Sequence, residues 1–360
     1  MQCKVPIKHL LEGAFDGLSN IKIMEICGTH TMEIAKAGIK SMLPEGVTLI
    51  SGPGCPVCVT PSGMIDNVLE LSNNKEIVIA TFGDMLRVPG SIYGDNLLKR
   101  RAMGAEILIC YSPMDALEYA QEHKDKKIVF LGVGFETTSP MSAVVIDLAK
   151  KMDIKNLFVY SMHKQTPPVM KHLAKQKAFD VDALICPGHV ATIIGADAFE
   201  FAVSELKLPS VVTGFETEDI VMALVKIGKM IKSNQINLIN QYTRGVTDEG
   251  NLAAIEITNK IFETADSIWR GLSVIGNSGL KIRKEYSEFD AQIQFELPEV
   301  VDIEVVGCKC ANVISGQMRS IDCPLFNKIC TPENPVGPCM VSSEGACAAA
   351  YKYGGLNVNE

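Results

Sequence analysis

The sequence predicts an α/β protein with two similar parallel-sheet lobes that face a cleft, followed by a small cysteine-rich C-terminal domain. Three observations favour this fold. Short β-branched runs alternate with helical patterns over most of the chain, which is typical of parallel sheets covered by helices. The order strand, glycine, threonine and helix occurs twice. After Cys308 the hydrophobic periodicity disappears, and cysteine, proline and glycine predominate.

The first set of elements begins with a β-branched run at residues 21–26, which predicts a strand. Gly28 interrupts the run, and Thr29 or Thr31 can cap a helix that continues to about Ile39. The other strands of this set are predicted at residues 47–51, 76–82 and 105–111, and the other helices at residues 61–71 and 114–122.

The second set repeats this order with different motifs. A strand at residues 127–133 leads into Gly134-Phe-Glu-Thr-Thr138 and then a helix at residues 139–152. Pro187-Gly-His189 follows a strand in the way that Pro53-Gly54 does. These correspondences indicate an ancient duplication of one α/β unit. The other strands of this set are predicted at residues 156–160, 183–186 and 210–213.

The predicted domain boundaries follow from these sets. The two lobes are expected at residues 1–125 and 126–240, and a connecting segment at residues 241–300, which has helical periodicity over residues 251–269. The cysteine-rich domain is expected at residues 301–360. In it, Ser343 can cap a last helix that ends at Gly354-Gly355. Function in parallel sheets collects at the carboxyl ends of strands. The predicted cleft therefore has Cys27, Cys55 and Cys58 on one side and Glu136 and His189 on the other.

Composition narrows the functional class. The chain has 360 residues, of which 47% are hydrophobic and 21% charged, and a net charge of −8, so a nucleic-acid partner is not expected. No apolar run reaches the ~20 residues of a membrane helix, and the start of the chain lacks an apolar signal core. We therefore expect a cytoplasmic protein, whose thiols are kept reduced.

Twelve cysteines are unusual in such a chain. We interpret Cys3, Cys110 and Cys186 as small core residues, because free cysteine is commonly buried. The other nine lie beside glycine, proline or one another, which core thiols rarely do.

Six of the nine lie in the tail, and no pair there has the two-residue gap typical of zinc knuckles. Four thiolates suffice to hold a [4Fe–4S] cluster. A four-cysteine zinc site remains the alternative. The four predicted cluster ligands are Cys308, Cys323, Cys330 and Cys347.

The front cysteines predict a second kind of chemistry. Cys55-Pro-Val-Cys58 places two thiols within disulfide reach before a helix, which suits dithiol–disulfide exchange, although half of a zinc site is the alternative. Cys27 and His30 lie three residues apart at a helix start, so they can ligate iron or zinc, or His30 can deprotonate Cys27. A helix cap with an incidental histidine is the structural alternative. Cys27, Cys55 and Cys58 are the predicted metal-binding thiols.

The remaining candidates are acid–base groups. Glu136 and Glu216 follow Gly-Phe in matching motifs and can act as proton donors and acceptors, or simply as first-turn helix residues. His163 and His189 are predicted in loops, and only His189 belongs to a repeated motif. No Walker loop is present and no GxGxxG follows a strand, so nucleotide binding is not predicted.

Taken together, the motifs resemble the HypD family of [NiFe]-hydrogenase maturation factors over essentially the whole chain and in the same order. The motifs that carry the resemblance are Cys27-Gly-Thr-His-Thr31, Gly52-Pro-Gly-Cys-Pro-Val-Cys58, Gly134-Phe-Glu-Thr-Thr138, Pro187-Gly-His189 and Cys330-Thr-Pro-Glu-Asn-Pro-Val-Gly-Pro-Cys-Met-Val-Ser-Ser-Glu-Gly-Ala-Cys347.

The resemblance implies a redox-active assembly factor on which iron acquires cyanide and carbon monoxide ligands. It implies that Cys27 holds the iron together with a cysteine of a HypC-type small chaperone, that His30 supports it, and that Cys55 and Cys58 form the redox pair. Cyanide would arrive from a HypE-type donor as a thiocyanate on its C-terminal cysteine. The tail resembles the family's [4Fe–4S] domain, which leaves Cys310 and Cys339 without an assigned role.

Two other hypotheses remain open from the sequence. One is an iron–sulfur-dependent thiol–disulfide oxidoreductase that reduces a protein disulfide through Cys55 and Cys58. The other is a zinc-stabilised assembly platform. In each case we expect the chain to be a monomer on its own, with no membrane or nucleic-acid partner.

Overall fold

The structure is a computed structural model that describes residues 6–303 and 305–354. Cys3, which we predicted to be a core thiol, lies outside the described residues. The strands of the described part are, in chain order, β1 (Ile21–Glu25), β2 (Val47–Ser51), β3 (Ile77–Thr81), β4 (Glu106–Ile109), β5 (Lys127–Gly132), β6 (Leu157–Ser161), β7 (Ala183–Pro187), β8 (Ser210–Thr213), β9 (Leu238–Asn240), β10 (Phe262–Trp269) and β11 (Ser273–Ile282).

The α-helices alternate with most of these strands. They are α1 (Ile7–Phe15), α2 (Gly28–Lys36), α3 (Ile39–Met42), α4 (Pro56–Val59), α5 (Ser62–Leu71), α6 (Leu97–Ala102), α7 (Pro113–Glu122), α8 (Ser139–Lys151), α9 (Thr166–Ala174), α10 (Gly188–Ile194), α11 (Phe201–Ser204), α12 (Thr217–Lys232), α13 (Leu252–Ile261), α14 (Ala291–Gln294), α15 (Cys310–Ile314) and α16 (Ala346–Tyr353). Short 3₁₀ turns lie at Gly83–Arg87, Asp197–Phe199, Lys284–Phe289, Ser320–Asp322 and Pro338–Met340. No described helix is both long and apolar enough to cross a membrane.

The strands form two parallel sheets, so the predicted α/β class is confirmed. One sheet has five strands in the order β2-β1-β7-β8-β9, and the other has four in the order β4-β3-β5-β6. All pairs within both sheets are parallel. Helices cover the sheets because the strands are apolar on both faces: every residue of β3 and of β7 is buried.

The strand pairing groups the chain differently from the predicted division at residue 125. β1 pairs with β7, more than 130 residues later, so the five-stranded sheet combines the beginning of the chain with residues 183–240. The four-stranded sheet is built from residues 77–161, which lie between these two parts. Repeated local patterns show the order of strands and helices, but they do not show which distant strands exchange hydrogen bonds.

This topology also corrects the predicted arrangement of the motifs. His189 follows β7, and Cys27 follows β1, so both lie at the carboxyl edge of the same sheet and not on opposite sides of a cleft. Only Glu136, which follows β5, belongs to the other sheet.

A shared apolar core joins the two sheets to the tail. One cluster of buried side chains contains residues of both sheets together with Cys55, Cys58 and several tail residues, among them Val313 and Met340. Two smaller clusters fill the outer faces, one on each sheet. Burial of this apolar surface is the main force that holds the cysteine-rich tail against the sheets.

The connecting segment differs from its prediction. The pattern over residues 251–269 predicted one helix, but only Leu252–Ile261 is helical, and Phe262–Trp269 forms an antiparallel hairpin with β11. Half-buried and exposed residues alternate from Glu263 to Asp266, as the pairing requires. The hairpin turns at Arg270 and Gly271, whose φ of +70° suits glycine.

The tail has little regular structure apart from α15 and α16. The last helix begins at Ala346, and Gly345 rather than Ser343 occupies its N-cap position. Cys347 lies in its first turn. The helix ends at Tyr353, and the predicted end at Gly355 lies outside the described residues.

Candidate metal-binding and thiol redox site

Cys27 lies where β1 ends and α2 begins. The strand is extended by a hydrogen bond from the Ile26 N–H to the carbonyl oxygen of Ile185, which fixes the chain direction into Cys27. Cys27 occupies the N-cap position of α2, where the backbone N–H groups of His30 and Thr29 act to lower the pKa of its thiol without forming a cap hydrogen bond to it. Such N–H groups at a helix start favour a thiolate.

Burial opposes that effect. Cys27 is only 8% exposed, and burial together with the negative charge of Glu344 raises the pKa of its thiol to about 12. Without a metal, the thiol therefore stays protonated at neutral pH. A metal ion would displace this proton, because only the thiolate is a strong ligand.

Glu25 is a buried carboxylate directly before Cys27, and sequence reasoning missed it. The side chain is 1% exposed and accepts hydrogen bonds from the Cys27 N–H, at 3.0 Å, and from the Thr31 hydroxyl. Burial raises the pKa of Glu25 to about 7 despite these bonds. The one available signal was an acidic residue at the end of a strand, two residues before a cysteine.

His30 is held with a defined tautomer. Its side chain is fully buried, and its Nε2 lies 2.9 Å from the carbonyl oxygen of Gly214. A carbonyl oxygen only accepts, so Nε2 carries the hydrogen and Nδ1 carries a lone pair. Nδ1 has no partner among the described residues. Burial lowers the pKa of His30 to about 4, so the ring is neutral at pH 7.

The two predicted histidines are brought together through Phe215, not directly. The Phe215 ring stacks on His30 with a centroid distance of 4.7 Å and on His189 with one of 3.7 Å. His189 is exposed, so the three rings form a column from the surface to the buried ring of His30. Phe215 follows β8 in the same sheet, and its role could not be predicted without the strand order.

Cys55 and Cys58 are joined by a disulfide. They flank the start of α4, whose first residue is Pro56, and both side chains are buried. The prediction that the two thiols lie within disulfide reach is confirmed.

The disulfide lies beside Cys27 because Gly54 packs against the Cys27 backbone. The Gly28 N–H donates to the Gly54 carbonyl oxygen at 3.0 Å. A Cβ atom at Gly54 would lie only 2.5 Å from the Cys27 Cα, so no larger residue fits there.

The six tail cysteines line one cavity, together with Gly337 and several apolar residues. A side chain at Gly337 would meet the Cys308 Sγ at 2.7 Å. The cavity therefore has thiol donors and a glycine wall, the chemistry that an iron–sulfur cluster requires. The cysteines are Cys308, Cys310, Cys323, Cys330, Cys339 and Cys347.

Cys310 and Cys339 are not set apart from the four predicted ligands. Hydrogen bonds from Cys308 and Cys339, with the charge of Arg270, hold the pKa of Cys310 well below its usual range. Hydrogen bonds to Cys310 and Cys347 raise the pKa of Cys339. The geometry of the described thiols therefore does not single out four of the six. No three His, Cys, Asp or Glu side chains within residues 6–303 and 305–354 form a ready single-ion site.

The tail also covers the Cys27 loop. The Thr29 hydroxyl donates to Glu344 at 2.7 Å, and Gly28 packs so closely that a Cβ there would lie 2.5 Å from the Glu344 Cβ. Cys58 Sγ lies 3.9 Å from the carbonyl oxygen of Pro338, next to Cys339. The segment that carries the disulfide therefore contacts Cys27 on one side and the wall of the tail cavity on the other. No local pattern indicated Glu344.

An open cleft of about 440 Å³ lies between α2 and the tail. Acidic, basic and apolar side chains line it, among them Asp84, Arg87 and Met340. Arg87 fixes one wall by donating to the carbonyl oxygens of Pro332 and Val341. This cleft borders the segment that carries Glu344.

Glu136 is engaged elsewhere. Its carboxylate accepts hydrogen bonds from the backbone N–H and the hydroxyl of Thr166, at 2.6 and 2.8 Å, at the first residue of α9. Burial raises its pKa to about 7. Its hydrogen bonds in the described structure go to Thr166 and not to Cys27 or His30, so its predicted catalytic role has no contact to support it.

The other candidates have contacts within the fold. His163 is buried and hydrogen-bonds the Ser142 hydroxyl at 2.9 Å. Glu216 forms a reciprocal cap with Asp219 at the start of α12. Cys110 and Cys186 are free and buried, as predicted for core thiols, and burial raises the pKa of each.

The sequence matches known proteins over almost its whole length. A family model, HypD, described as "Hydrogenase formation hypA family", matches residues 6–354. The chain is 41% identical over 352 residues to the hydrogenase maturation factor HypD of Escherichia coli K12, covering 96% of this chain and 94% of that protein. It is 43% identical over 339 residues to HypD of Azotobacter vinelandii, covering 92% and 89%. With HypD of Cupriavidus necator the identity is 40% over 338 residues, covering 92% and 89%.

Proposed function

Since the chain belongs to the HypD family of hydrogenase formation proteins, we propose that it is the scaffold on which iron receives cyanide and carbon monoxide before delivery to a [NiFe]-hydrogenase. One observation carries the proposal. Cys27, the Cys55–Cys58 disulfide and the six-cysteine cavity lie in contacting segments, so a metal-binding thiol, a two-electron pair and a cluster site adjoin one another.

Cys27 is the proposed iron ligand. Thiolates are soft ligands that suit iron carrying cyanide and carbon monoxide. Its position at the N-cap of α2 puts the sulfur near the N–H groups of the first helical turn, which stabilise the thiolate once the proton has left. The cargo iron must also be bound from outside, and we propose that a cysteine of a HypC-type small chaperone supplies the second thiolate.

His30 supports this site by accepting a proton or hydrogen bond. Its Nε2–H is engaged by Gly214, so Nδ1 is the free acceptor. The His30 backbone lies in the first turn of α2, near enough to Cys27 to lower the pKa of its thiol. The stacked Phe215 and His189 rings separate His30 from solvent on one side.

Cys55 and Cys58 are the proposed electron donors for release of cyanide. A thiocyanate brought by a HypE-type donor needs two electrons to break its sulfur–carbon bond. The reduced pair supplies both when it forms the disulfide and loses two protons. One proton ends on the donor's thiol, the other is released, and cyanide leaves as the anion that the iron binds. The disulfide seen here is the oxidised form of the pair.

The tail cysteines are the proposed site of a [4Fe–4S] cluster, with Cys308, Cys323, Cys330 and Cys347 as ligands. Such a cluster supplies single electrons, which can restore the dithiol in two steps. The contact of Cys58 with Pro338 places the disulfide against the cavity wall. We place the protein in the cytoplasm, where the surroundings favour reduced thiols.

Partners would reach the site through the cleft beside Glu344. It is large enough for a peptide segment, and its polar groups, Asp84 and Arg87, can bind a main chain or a terminal carboxylate. We propose that the small chaperone and the cyanide donor use this side of the molecule in turn.

Infrared spectroscopy tests the proposal. The protein is purified without oxygen together with its small partner, and metal-bound cyanide and carbon monoxide bands are recorded for wild type, Cys27→Ala and Cys110→Ala. Cys110 is a buried free cysteine away from the site and serves as the matched control. Bands in wild type and Cys110→Ala that disappear in Cys27→Ala are expected. Bands that persist in Cys27→Ala would exclude Cys27 as the ligand.

A second function is favoured by the disulfide itself. An iron–sulfur-dependent thiol–disulfide oxidoreductase would also place a redox pair against a cluster cavity. It gives Cys27 and His30 no role. Reduction of a protein disulfide that is lost in Cys55→Ser and unchanged in Cys27→Ala would favour this function over the scaffold.

A further inference from the structure

Arg270 is a buried cation that the proposed function leaves unused. It lies in the turn between β10 and β11 and is only 5% exposed. Its Nη1 has no hydrogen-bond partner, and no carboxylate of the described residues forms an ion pair with it. A buried charge is costly unless an opposite charge compensates it, and a guanidinium does not lose its proton to escape that cost.

The backbone of this turn is fixed between the disulfide segment and the tail. The Arg270 N–H donates to the carbonyl oxygen of Val59, the residue after Cys58, at 2.9 Å. The Gly271 N–H donates to Asp302 at 2.8 Å. On the tail side, a Cβ at Gly271 would lie 3.0 Å from the Cα of Ala311 and closer still to its Cβ.

These contacts hold the turn that carries Arg270 against the segment that lines the tail cavity. Ala311 directly follows Cys310, and the positive charge of Arg270 contributes to lowering the pKa of the Cys310 thiol. Cys310 is one of six thiols around that cavity. A group held there by four thiolates carries net negative charge, which is the compensation that Arg270 lacks.

We propose that Arg270 is the counter-cation of the tail cavity: its charge stabilises the anionic cluster held by the cysteines and makes that cluster easier to reduce. The inference rests on the cluster that forms part of the proposed function. Adding an electron next to a fixed positive charge is favourable, and the effect is large where water is excluded. Arg270 is thus a positioning residue for electron supply and touches no substrate.

The test is a redox titration of the full-length protein. Wild type, Arg270→Met, Arg270→Gln and Arg270→Lys are reconstituted with ferrous iron and sulfide under nitrogen, and the visible absorption of the cluster is followed against mediator dyes. Arg101→Met, which removes an exposed arginine on α6, is the control.

The reduction potential of the cluster is expected to shift only in Arg270→Met and Arg270→Gln, which lack the positive charge. At the potential where the wild-type cluster is half reduced, the ratio of reduced to oxidised cluster should fall at least about tenfold in Arg270→Met and Arg270→Gln. Arg270→Lys and Arg101→Met should match wild type, because both keep the buried charge.

Each other outcome decides the question. The role of the charge would be overturned if the clusters of Arg270→Met and Arg270→Gln titrate like that of wild type. It would also be overturned if the reduction potential in Arg270→Lys shifts as far as in those two variants. Failure of both neutral variants to hold a cluster supports the proposal if Arg270→Lys holds one, and overturns it if Arg270→Lys also fails. Absence of cluster absorption in wild type itself would remove the proposed cluster, and this inference with it, before any variant is compared.

Discussion

Glu25 accepts a hydrogen bond from the N–H of Cys27, two residues further along the chain, at 3.0 Å. The same carboxylate accepts from the Thr31 hydroxyl in the first turn of α2. One buried acidic group therefore ties the end of β1 to the start of the helix that carries Cys27 and His30. Its position makes it both a support for the site and a source of pH dependence.

Replacing Glu25 by glutamine should change how stability depends on pH. The folded-state pKa of Glu25 is about 7, above the ordinary value of 4.5, so the folded protein binds more protons between these values. Stability from this group is present below pH 4.5 and decreases as the pH rises toward 7, by up to about 3 kcal/mol. Urea unfolding of wild type and Glu25→Gln at pH 5.0 and 7.5 measures it. Relative to wild type, the free energy of unfolding of Glu25→Gln should be higher at pH 7.5 than at pH 5.0.

The reference for that experiment is Glu216→Gln. Glu216 is an exposed N-cap residue of α12, so Glu216→Gln makes the same chemical change at the surface and serves as the comparison. A pH-independent difference between wild type and Glu25→Gln would show that the Glu25 carboxylate is solvated in the folded protein.

His30 should contribute acid sensitivity of the opposite sign. Its folded-state pKa is about 4, below the ordinary value of 6.5, so the unfolded chain binds more protons between these values. Stability is complete above pH 6.5 and is lost as the pH falls toward 4, by about 2 kcal/mol already at pH 5. Urea unfolding at pH 7.5 and pH 5.0 measures this loss. The free energy of unfolding of His30→Gln should decrease less between these pH values than that of wild type. Equal losses in both proteins would mean that His30 is solvated.

Local patterns in the sequence predicted most strands, because a strand such as Ile77–Thr81 begins with four consecutive apolar residues, three of them β-branched. They did not predict that β1 pairs with β7, since that contact joins distant residues. Residues 262–269 were predicted as helix because their apolar spacing continues that of α13, and only pairing with β11 makes them a strand. Tertiary contacts thus overrode local preference in that segment.

The candidate site shows the same limit. The cysteines near Gly54 and in the tail could be recognised as candidate site residues from the sequence. Residue type and spacing alone indicate the chemistry of a thiol. Glu25 and Arg270 were missed, since a carboxylate or guanidinium becomes informative only when its burial and neighbours are known. The hydrogen bonds of Glu136 to the start of α9 could not be predicted either, and its catalytic role stays a prediction.

Gly54→Ala should disrupt the contact between the disulfide segment and Cys27. The added Cβ would overlap the Cys27 backbone, so the loop must move, which we expect to cost several kcal/mol, as overpacking does. Thermal unfolding compares it with Gly13→Ala. Gly13 lies in α1, and a Cβ atom added there would have no neighbour within 4 Å, so alanine should stabilise by about 0.5–1 kcal/mol. Similar melting temperatures for Gly54→Ala and wild type would contradict this close packing.

The tail cysteines give the last prediction, on which four of the six hold the cluster. All six line one cavity, so geometry alone leaves the choice open, and the proposed set excludes Cys310 and Cys339. Cys323→Ser should lose the visible absorption and most iron and acid-labile sulfide after anaerobic reconstitution, because a hydroxyl is a poor substitute for a soft thiolate. Cys310→Ser should retain all three, since the four proposed thiolates remain. The reverse result would place Cys310 among the ligands and Cys323 outside them, whereas equal loss in both variants would mean that the cavity holds its metal with more than four thiols.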